Sequence, residues 1–355
     1  MIKQLQVLIA VFFVLLIGNA SAQNERSVWT KQTANEWYKK WGWLRGCDFI
    51  PSTAINQLEM WQAETFDSAT INRELGYAES IGMNVMRVYL HHVAWQADKE
   101  GFKNRMNIYL SIANKHGIST IFVFFDDCWN ATYHAGTQPA PKTGIHNSGW
   151  VRDPGQLLYD SAAIISTLEA YVKDVLNTFR YDKRIFLWDL YNEPGNSDYG
   201  NKSLPLLKDV FIWARQANPD QPLSAGVWNK ELPDLNAYQL ANSDVITYHN
   251  YDNEKNHKYC IDTLKKNKRP LVCTEYMART RNSKFFNIMP MLKAEHIVAI
   301  NWGLVAGKTN TMYAWDTPMP NGEEPKIWFH DIFRKNGTPF DSKETVFIKS
   351  LTGKK

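Results

Sequence analysis

Two glutamates stand at the ends of apolar runs and carry the side chains that acid–base and nucleophilic chemistry needs. Glu193 lies near the end of the run 185–194, and Glu275 lies near the end of the run 271–276. A carboxyl pair can break a glycosidic bond, because one group protonates the leaving oxygen while the other attacks or stabilises the oxocarbenium-like carbon. A separation of about 5–5.5 Å would favour nucleophilic attack with retention of configuration. Mutual repulsion would keep one of the two protonated near neutral pH.

Eight strand-like runs alternate with helical segments and must position these glutamates. The predicted strands span residues 44–51, 84–91, 118–127, 185–194, 222–228, 245–251, 271–276 and 297–304. The predicted helices span residues 67–81, 101–116, 156–179, 203–217, 234–242, 256–267, 285–296, 327–335 and 343–350. The alternation predicts an α/β fold, a single-domain (β/α)8 TIM barrel. A doubly wound sheet would carry a glycine-rich turn after the first strand, where Gly46 stands alone.

Polar and aromatic residues follow the carboxyl end of each predicted strand. They are Asp48, Arg87, His91, His92, Asp126, Asp127, Trp129, Asn192, Glu193, Trp228, Asn229, His249, Tyr251, Glu275, Tyr276, Asn301 and Trp302. In a barrel these ends converge on one rim, where active sites lie. We therefore expect the two glutamates to face each other at the mouth of the barrel.

Two long loops, 128–155 and 307–325, are rich in aromatic residues, among them Trp129 and Trp150. Loops of this length within a compact domain are usually functional or disordered. The chain has 14 Trp, 16 Tyr and 17 Phe. Composition alone leaves open whether the tryptophans stack on sugar rings or fill the core, because indole suits both environments. We expect Asp127, Trp129 and Trp150 to contact substrate.

The first 22 residues have the pattern of a cleaved signal peptide. Lys3 precedes an apolar run at 7–17, and Ala20-Ser21-Ala22 matches the cleavage site. An 11-residue run is too short to span a bilayer of about 30 Å, so we expect no stable membrane span. The sequence thus predicts a catalytic domain at 23–355, secreted or periplasmic, and a monomer. A net charge of +4 is too small to indicate nucleic-acid binding.

Metal and cofactor chemistry find little support in the sequence. The four cysteines, Cys47, Cys128, Cys260 and Cys273, form no CxxC pair, and we expect free thiols. His91 and His92 are adjacent, so in a strand they would face opposite sides and ligate a metal poorly. We expect no metal and no cofactor.

Six motifs together resemble the active-site signatures of clan A glycoside hydrolases, and of family 5 in particular. They are WDLYNEP at 188–194, TEY at 274–276, HNY at 249–251, RGCD at 45–48, Arg87 and Trp302. Their order and spacing cover residues 44 to about 303, which is nearly the whole mature chain. The resemblance implies a retaining β-glycosidase that acts on a β-linked glucan, mannan or xylan or on its oligosaccharides.

The resemblance also implies a role for each matched residue. Glu193 would be the general acid/base and Glu275 the nucleophile. Asn192 would hold the substrate 2-hydroxyl, and Trp302 would form the floor of the sugar subsite. Arg87 and Tyr251 would hydrogen-bond Glu275 and keep it ionised, while His249 would lie near Glu193.

The match to the first-strand motif is not exact, and a clear departure from the family pattern at the third strand leaves the sugar open. Asp48 replaces the usual Asn, and Asp126-Asp127 stands at the third strand where many members have His. Either aspartate, or one of His91, His92, His134 and His146, could take over a hydroxyl contact. TEY followed by Met277 is also similar to family 2 catalytic domains. A transglycosylase would use the same residues, whereas a non-catalytic carbohydrate-binding barrel would be expected to lack one of the glutamates.

Overall fold

The computed structural model describes residues 26–354 and contains an eight-stranded parallel sheet. The strands are Arg45–Asp48 (β1), Val85–Tyr89 (β2), Ser119–Asp126 (β3), Ile185–Asn192 (β4), Leu223–Ser224 (β5), Ile246–His249 (β6), Leu271–Tyr276 (β7) and Val298–Trp302 (β8). Nearly every strand residue is buried, as expected where helices cover the outside of a parallel sheet and side chains fill the inside.

The strand order β5-β4-β3-β2-β1-β8-β7-β6 curls the sheet into a barrel. The two edge strands meet through one parallel bridge between Val227 and Tyr248, supported by a 3.1 Å bond from Val227 N to Thr247 O. The predicted (β/α)8 barrel is therefore confirmed. The fifth strand is shorter than predicted, because only Leu223 and Ser224 pair with β4 before the chain reaches Gly226.

Twelve α-helices occur among residues 26–354. They are Lys31–Tyr38 (α1), Gln57–Trp61 (α2), Ser68–Ser80 (α3), His92–Ala97 (α4), Lys99–Lys115 (α5), Leu157–Asp160 (α6), Ile164–Phe179 (α7), Leu204–Ala217 (α8), Pro233–Asn242 (α9), Glu254–Leu264 (α10), Phe285–Ala294 (α11) and Ser342–Thr352 (α12). Eight of the helices predicted from the sequence correspond to α3, α5 and α7 to α12. The sequence pattern does not predict α1, α2 and α4.

Two helix predictions differ from the structure. The segment 156–179 is interrupted between α6 and α7, where Ser161 adopts an extended conformation. The segment 327–335 is not helical, because Phe333 forms bridges with Val305 and Pro339 instead. The four buried apolar residues of this segment have the i, i+1, i+4, i+5 spacing that indicates a helix; they are Trp328, Phe329, Ile332 and Phe333.

Helix α1 closes the amino end of the barrel. Trp37 and Trp41 lie against Phe186, with ring centroids 4.8 and 5.0 Å apart. These side chains pack on a cluster that includes Leu44 and Val85, at the amino ends of the first two strands. The carboxyl ends of the strands are therefore left as the open face on which a site can form.

The tryptophans of the described residues are divided between the core and a cleft. Trp61, Trp95, Trp188 and Trp328 are among the largest fully buried side chains, whereas Trp129 and three other tryptophans line a cleft described below. All four cysteines are unpaired. The predicted signal peptide at 1–22 lies outside the described residues. Within 26–354 no helix is long and apolar enough to cross a bilayer.

Candidate active site

The carboxyl ends of β4 and β7 bring Glu193 and Glu275 together. An oxygen of one carboxyl group lies within 4.8 Å of an oxygen of the other, and His249 lies between them. His249 Nδ1 is 2.8 Å from Glu193 Oε1 and 3.5 Å from Glu275 Oε2. Burial lowers the pKa of His249 to about 4, so this bridging imidazole is uncharged at neutral pH. The two groups form a carboxyl pair at the mouth of the barrel.

Glu275 accepts hydrogen bonds from three side chains, two of them on β2 and one just after the end of β6. Tyr251 Oη donates to Oε2 at 2.7 Å, while Arg87 Nη1 and Tyr89 Oη donate to Oε1 at 3.0 and 3.1 Å. Burial raises the pKa of Glu275, and the neighbouring Glu193 adds to this, whereas Arg87 and Tyr251 oppose it. The donors thus stabilise the ionised carboxylate that a nucleophile requires.

Arg87 is fully buried and links four acceptors, among them Glu275. Besides Glu275, its guanidinium lies 2.8 Å from Asp48 Oδ1, 2.9 Å from Asp189 Oδ2 and 2.7 Å from Asn192 Oδ1. A planar, permanently charged fork of donors can hold several oxygens in fixed positions. Arg87 therefore fixes both Glu275 and the amide of Asn192, while Asp48 on β1 pairs with the same guanidinium.

Glu193 lies on a strained turn at the end of β4. Its φ is 44°, in the left-handed region that side chains with a Cβ rarely adopt, and such strain often occurs at functional positions. Asn196 Nδ2 donates to Glu193 Oε2, and Cys128 Sγ lies 3.3 Å from the same oxygen. Burial raises the pKa of Glu193, while the contacts with Cys128 and Asn196 lower it.

Asp126 and Asp127 support the site from behind and do not face the cleft. Asp126 accepts from Asn192 Nδ2 at 2.9 Å and from Trp150 Nε1 at 2.7 Å. Asp127 accepts from Gly195 N at 2.8 Å and from the hydroxyls of Tyr191 and Ser203. Each aspartate is 1% exposed. The predicted hydroxyl contact of Asp127 with substrate therefore does not fit its position; it holds the turn that carries Glu193.

The three tryptophans expected to bind substrate occupy different positions. Trp302 and Trp129 line the cleft, and Trp129 is 38% exposed. Trp150 is 2% exposed and lies beneath Trp302, with ring centroids 5.5 Å apart in a T-shaped arrangement. The expected substrate contact of Trp150 thus does not fit the structure, since this indole supports Trp302 from below.

A cleft of about 620 Å³ surrounds the two glutamates, a size that suits one or two sugar rings. Its walls are aromatic and amide side chains together with a thiol, a hydroxyl and the carboxyl pair. They come from Cys128, Trp129, Asn130, His146, Asn147, Asn192, Glu193, Asn196, Ser197, Trp228, Tyr251, Glu275, Trp302, Trp315 and His330. His249 and Arg87 contact the carboxyl pair from behind.

One wall of the cleft is formed where the loops 128–155 and 307–325 are joined. His146 Nδ1 lies 2.8 Å from Tyr313 O, Asn147 N donates to Thr309 O at 2.8 Å, and Met319 N donates to Gly144 O at 3.0 Å. Gly144 has φ 65°, and a Cβ here would lie 1.7 Å from Met319 O. Only glycine permits this close approach. We call this joined pair of loops the clasp.

His91 and His92 lie on the same side, contrary to the expectation from strand alternation. Their rings stack with centroids 5.2 Å apart, because His91 caps α4 and the strand has already ended. Both lie near Asp153, and His92 Nδ1 hydrogen-bonds it. His91 accepts from Val93 N and contacts Arg152 O, so its two ring nitrogens are already occupied. The cluster holds the end of the loop 128–155 against β2.

The sequence patterns do not predict four of the residues that form the site. Tyr89 had a signal, since it lies two residues after Arg87 on one strand and so faces the same side. Asn196 and Cys128 contact Glu193 through loop conformations that carry no periodic pattern. His330 lines the cleft from the segment that the pattern predicted to be helical.

No family model and no curated protein matches the sequence. Solved structures do match the fold. A GH5_18 protein from Streptomyces cattleya, in complex with Manβ1-4GlcNAc, has a TM-score of 0.62 at 10% identity, covering 87% of this chain and 80% of that chain. An endo-1,4-β-D-mannanase from Thermotoga petrophila has a TM-score of 0.53 at 16% identity, covering 86% and 99%.

A third match is an exo-β-1,4-mannosidase from an Opitutaceae bacterium. It has a TM-score of 0.61 at 14% identity and covers 88% of this chain and 59% of that chain. At such identities the likeness establishes the shared fold. The fold is thus the (β/α)8 barrel found in GH5 proteins, the family that the sequence motifs resemble.

Proposed function

We propose that the protein is a retaining β-glycosidase that cleaves O-glycosidic bonds in two displacement steps. The observation that carries this proposal is the carboxyl pair at the barrel mouth, with oxygens within 4.8 Å. This approach suits the retaining geometry of about 5–5.5 Å and is shorter than the separation of about 6.5–9.5 Å with which inverting enzymes accommodate a water.

The surroundings of the two groups support different roles for them. Glu275 accepts three hydrogen bonds and is the nucleophile that attacks the anomeric carbon. Glu193, with its pKa raised by burial, donates a proton to the departing oxygen as the glycosidic bond breaks. Glu193 then removes a proton from the water that hydrolyses the glycosyl ester and frees Glu275.

Asn192 and Trp302 are placed to bind the sugar at this bond. Asn192 is held by Arg87 and Asp126, so its amide has one orientation beside the carboxyl pair. We propose that it contacts the 2-hydroxyl, where a hydrogen bond strengthens in the transition state. Trp302, supported by Trp150 and Tyr89, offers a flat apolar face for the ring.

We propose a β-linked glucan, mannan or xylan, or its oligosaccharides, as the substrate class. Two of the structural neighbours are a mannanase and a mannosidase, and a third holds Manβ1-4GlcNAc, so β-mannosides are the first substrates to test. A panel of soluble polysaccharides and aryl β-glycosides, with products sized by chromatography, identifies the sugar. Longer products than the starting oligosaccharide would identify a transglycosylase instead.

Azide rescue tests the two roles. Glu275→Ala removes the nucleophile, so azide should attack from the vacated side and yield a glycosyl azide of inverted configuration. Glu193→Ala removes the proton donor, so activated aryl glycosides should still form the intermediate and azide should yield a product of retained configuration. Each single loss should cost several powers of ten on natural substrates.

The control for this experiment is Glu231→Ala, because Glu231 is exposed and lies outside the cleft. Its activity should equal that of the wild type. The assigned roles are wrong if both alanine variants lose activity equally on activated and natural substrates and neither responds to azide. A carbohydrate-binding barrel would bind oligosaccharide and release no product with any variant.

We also propose export of the chain and a monomeric mature protein. The proposal of export rests on the apolar run and small-residue site within 1–22. Expression of the full chain in a bacterial host, followed by amino-terminal sequencing of the exported protein, should give Gln23 as the first residue. Light scattering of that protein should give the mass of one chain.

A further inference from the structure

Two buried histidines face the cleft with one ring nitrogen free. His330 Nδ1 lies 2.6 Å from Met277 O, and His146 Nδ1 lies 2.8 Å from Tyr313 O. A carbonyl only accepts, so Nδ1 carries the proton in both rings and Nε2 keeps a lone pair. His330 Nε2 is buried without a partner, and among residues 26–354 His146 Nε2 has no hydrogen bond. The two residues are 1% and 4% exposed.

The two rings are neighbours and lie beside the nucleophile. Their centroids are 5.5 Å apart, and the ring of His330 is 5.6 Å from that of Tyr251, which donates to Glu275. The ring of His146 is in turn 5.3 Å from that of Trp129. The histidines therefore form part of the wall on the Glu275 side of the cleft.

Both rings stay uncharged under ordinary conditions. Burial lowers the pKa of His146 to about 4 and lowers that of His330 well below its usual value, and His146 lowers the pKa of His330 further. A pair of neutral imidazoles with free Nε2 atoms can only accept hydrogen bonds at those atoms. A ligand must therefore supply donors there.

The rest of the cleft lining offers no cation to an acidic ligand. The lining residues include no Lys and no Arg, and their only carboxylates are Glu193 and Glu275. Arg87 is fully buried and already bound to Asp48, Asp189 and Glu275. A carboxylate on the sugar would face the Nε2 lone pairs of the two histidines and the carboxyl groups of the two glutamates. None of these groups would stabilise its negative charge, which is unfavourable in a poorly solvated site.

We infer that His146 and His330 are specificity-determining residues, which accept hydrogen bonds from hydroxyl groups of a neutral glycone and so exclude uronic acids. The inference rests on the proposed glycosidase function and names two residues that select its glycone. An unmade hydrogen bond to a buried acceptor costs far more than a missing apolar contact, so a site of this kind discriminates strongly. The clasp fixes His146 in place and thereby fixes the spacing of the two acceptors.

The test compares hydrolysis of matched aryl β-glycosides. The set contains the neutral glycoside that the wild type cleaves best, its monodeoxy analogues and the corresponding β-uronide. We expect the wild type to cleave the uronide and at least one monodeoxy analogue about 10- to 100-fold more slowly in kcat/KM. Equal rates on all of these substrates would overturn the inference without any variant being needed.

Variants of His330 then identify the acceptor. His330→Phe keeps a ring but loses Nε2, so it should lower kcat/KM on the neutral glycoside by about 10-fold or more. On the monodeoxy analogue that the wild type cleaves slowly, the same variant should cause no further loss, because the hydroxyl partner of Nε2 is already absent. His330→Gln should restore part of the activity, because its amide oxygen accepts. A His330→Phe enzyme that folds and loses the same factor on every substrate would overturn the assignment.

The matched control is His257→Phe. His257 is also buried and uncharged, with its pKa lowered by burial to about 4, but it contacts Tyr248 outside the cleft. This variant should lose thermal stability without changing the deoxy pattern. Failure of the proposed function has a different signature, since the wild type would then cleave no glycoside and azide would rescue neither glutamate variant.

Discussion

The thiol of Cys128 contacts the carboxyl group of Glu193, with Sγ 3.3 Å from Oε2. Asn196 donates to the same oxygen, while Oε1 faces His249. The proposed proton donor thus has one oxygen held by loop residues and one held by the imidazole between the two glutamates. The contacts at Oε2 are the ones that a small substitution can remove without changing the nucleophile.

Cys128→Ala should shift the basic limb of the pH–rate profile to higher pH. The S–H contact stabilises the ionised form of Glu193 and lowers its pKa, so its loss raises that pKa. A general acid must be protonated, hence activity should persist to a pH higher by about half a unit to one unit. The measurement is kcat/KM against pH, with Cys260→Ala as the control because Cys260 lies outside the cleft. An unchanged basic limb would contradict the role of the thiol.

Tyr251→Phe should act on the acidic limb instead. The hydroxyl donates to Glu275 at 2.7 Å and lowers the pKa of this group, so the variant raises it. The nucleophile must be ionised, and the acidic limb should therefore move up by about one unit and narrow the active range. Tyr259→Phe is the control, because Tyr259 is 75% exposed. An identical profile in Tyr251→Phe would mean that the hydroxyl only fills space.

Substitutions of Trp150 and Trp129 should have different effects, the first on protein stability and the second on substrate binding. Trp150→Phe leaves Asp126 short of a donor and Trp302 without full support, so the free energy of unfolding should fall by about 1–3 kcal/mol. Trp129→Ala changes a side chain that is 38% exposed, so stability should stay within about 0.5 kcal/mol while KM rises. Chemical denaturation and steady-state kinetics check both. A higher KM with unchanged stability in Trp150→Phe would instead indicate that Trp150 contacts the substrate.

Asp127→Asn should lower kcat although this residue does not touch the cleft. The carboxylate accepts from Tyr191, Gly195 and Ser203, and an amide offers one acceptor and two donors in their place. The turn that carries Glu193 should shift, with a loss of about 1–3 kcal/mol in the free energy of unfolding. Ser166→Ala, on the exposed side of α7, is the control. If Asp127→Asn has the stability and kcat of the wild type, the turn that carries Glu193 does not depend on the Asp127 carboxylate.

The barrel and the proximity of Glu193 and Glu275 can be predicted from the sequence, because both follow from the pattern of apolar residues and from one rule of parallel-strand topology. Buried strands read as apolar runs, and parallel strands place all their carboxyl ends on one rim. Glu193 and Glu275 therefore had to lie at the same end of the molecule. The same rule explains why Tyr89 could have been found from its position relative to Arg87.

Side-chain direction beyond the strand ends was not predictable. Asp127 directly follows β3 and Trp150 lies in the loop 128–155, both positions typical of binding residues. Their partners are nevertheless Ser203 and Asp126, which no sequence periodicity connects to them. His330 was hidden for a different reason. Its neighbours repeat at a helical spacing, while long-range bridges from Phe333 hold the backbone extended.

The clasp has a consequence for biosynthesis. Its bond between His146 and Tyr313 joins residues 167 positions apart, and the partner from the loop 307–325 is made after both glutamates. A nascent chain that has reached Glu275 therefore holds both carboxyl groups but lacks the wall of its own cleft. Under the proposed function, the cleft can select a sugar only after residues 307–330 have been synthesised, because these residues supply Tyr313 and His330.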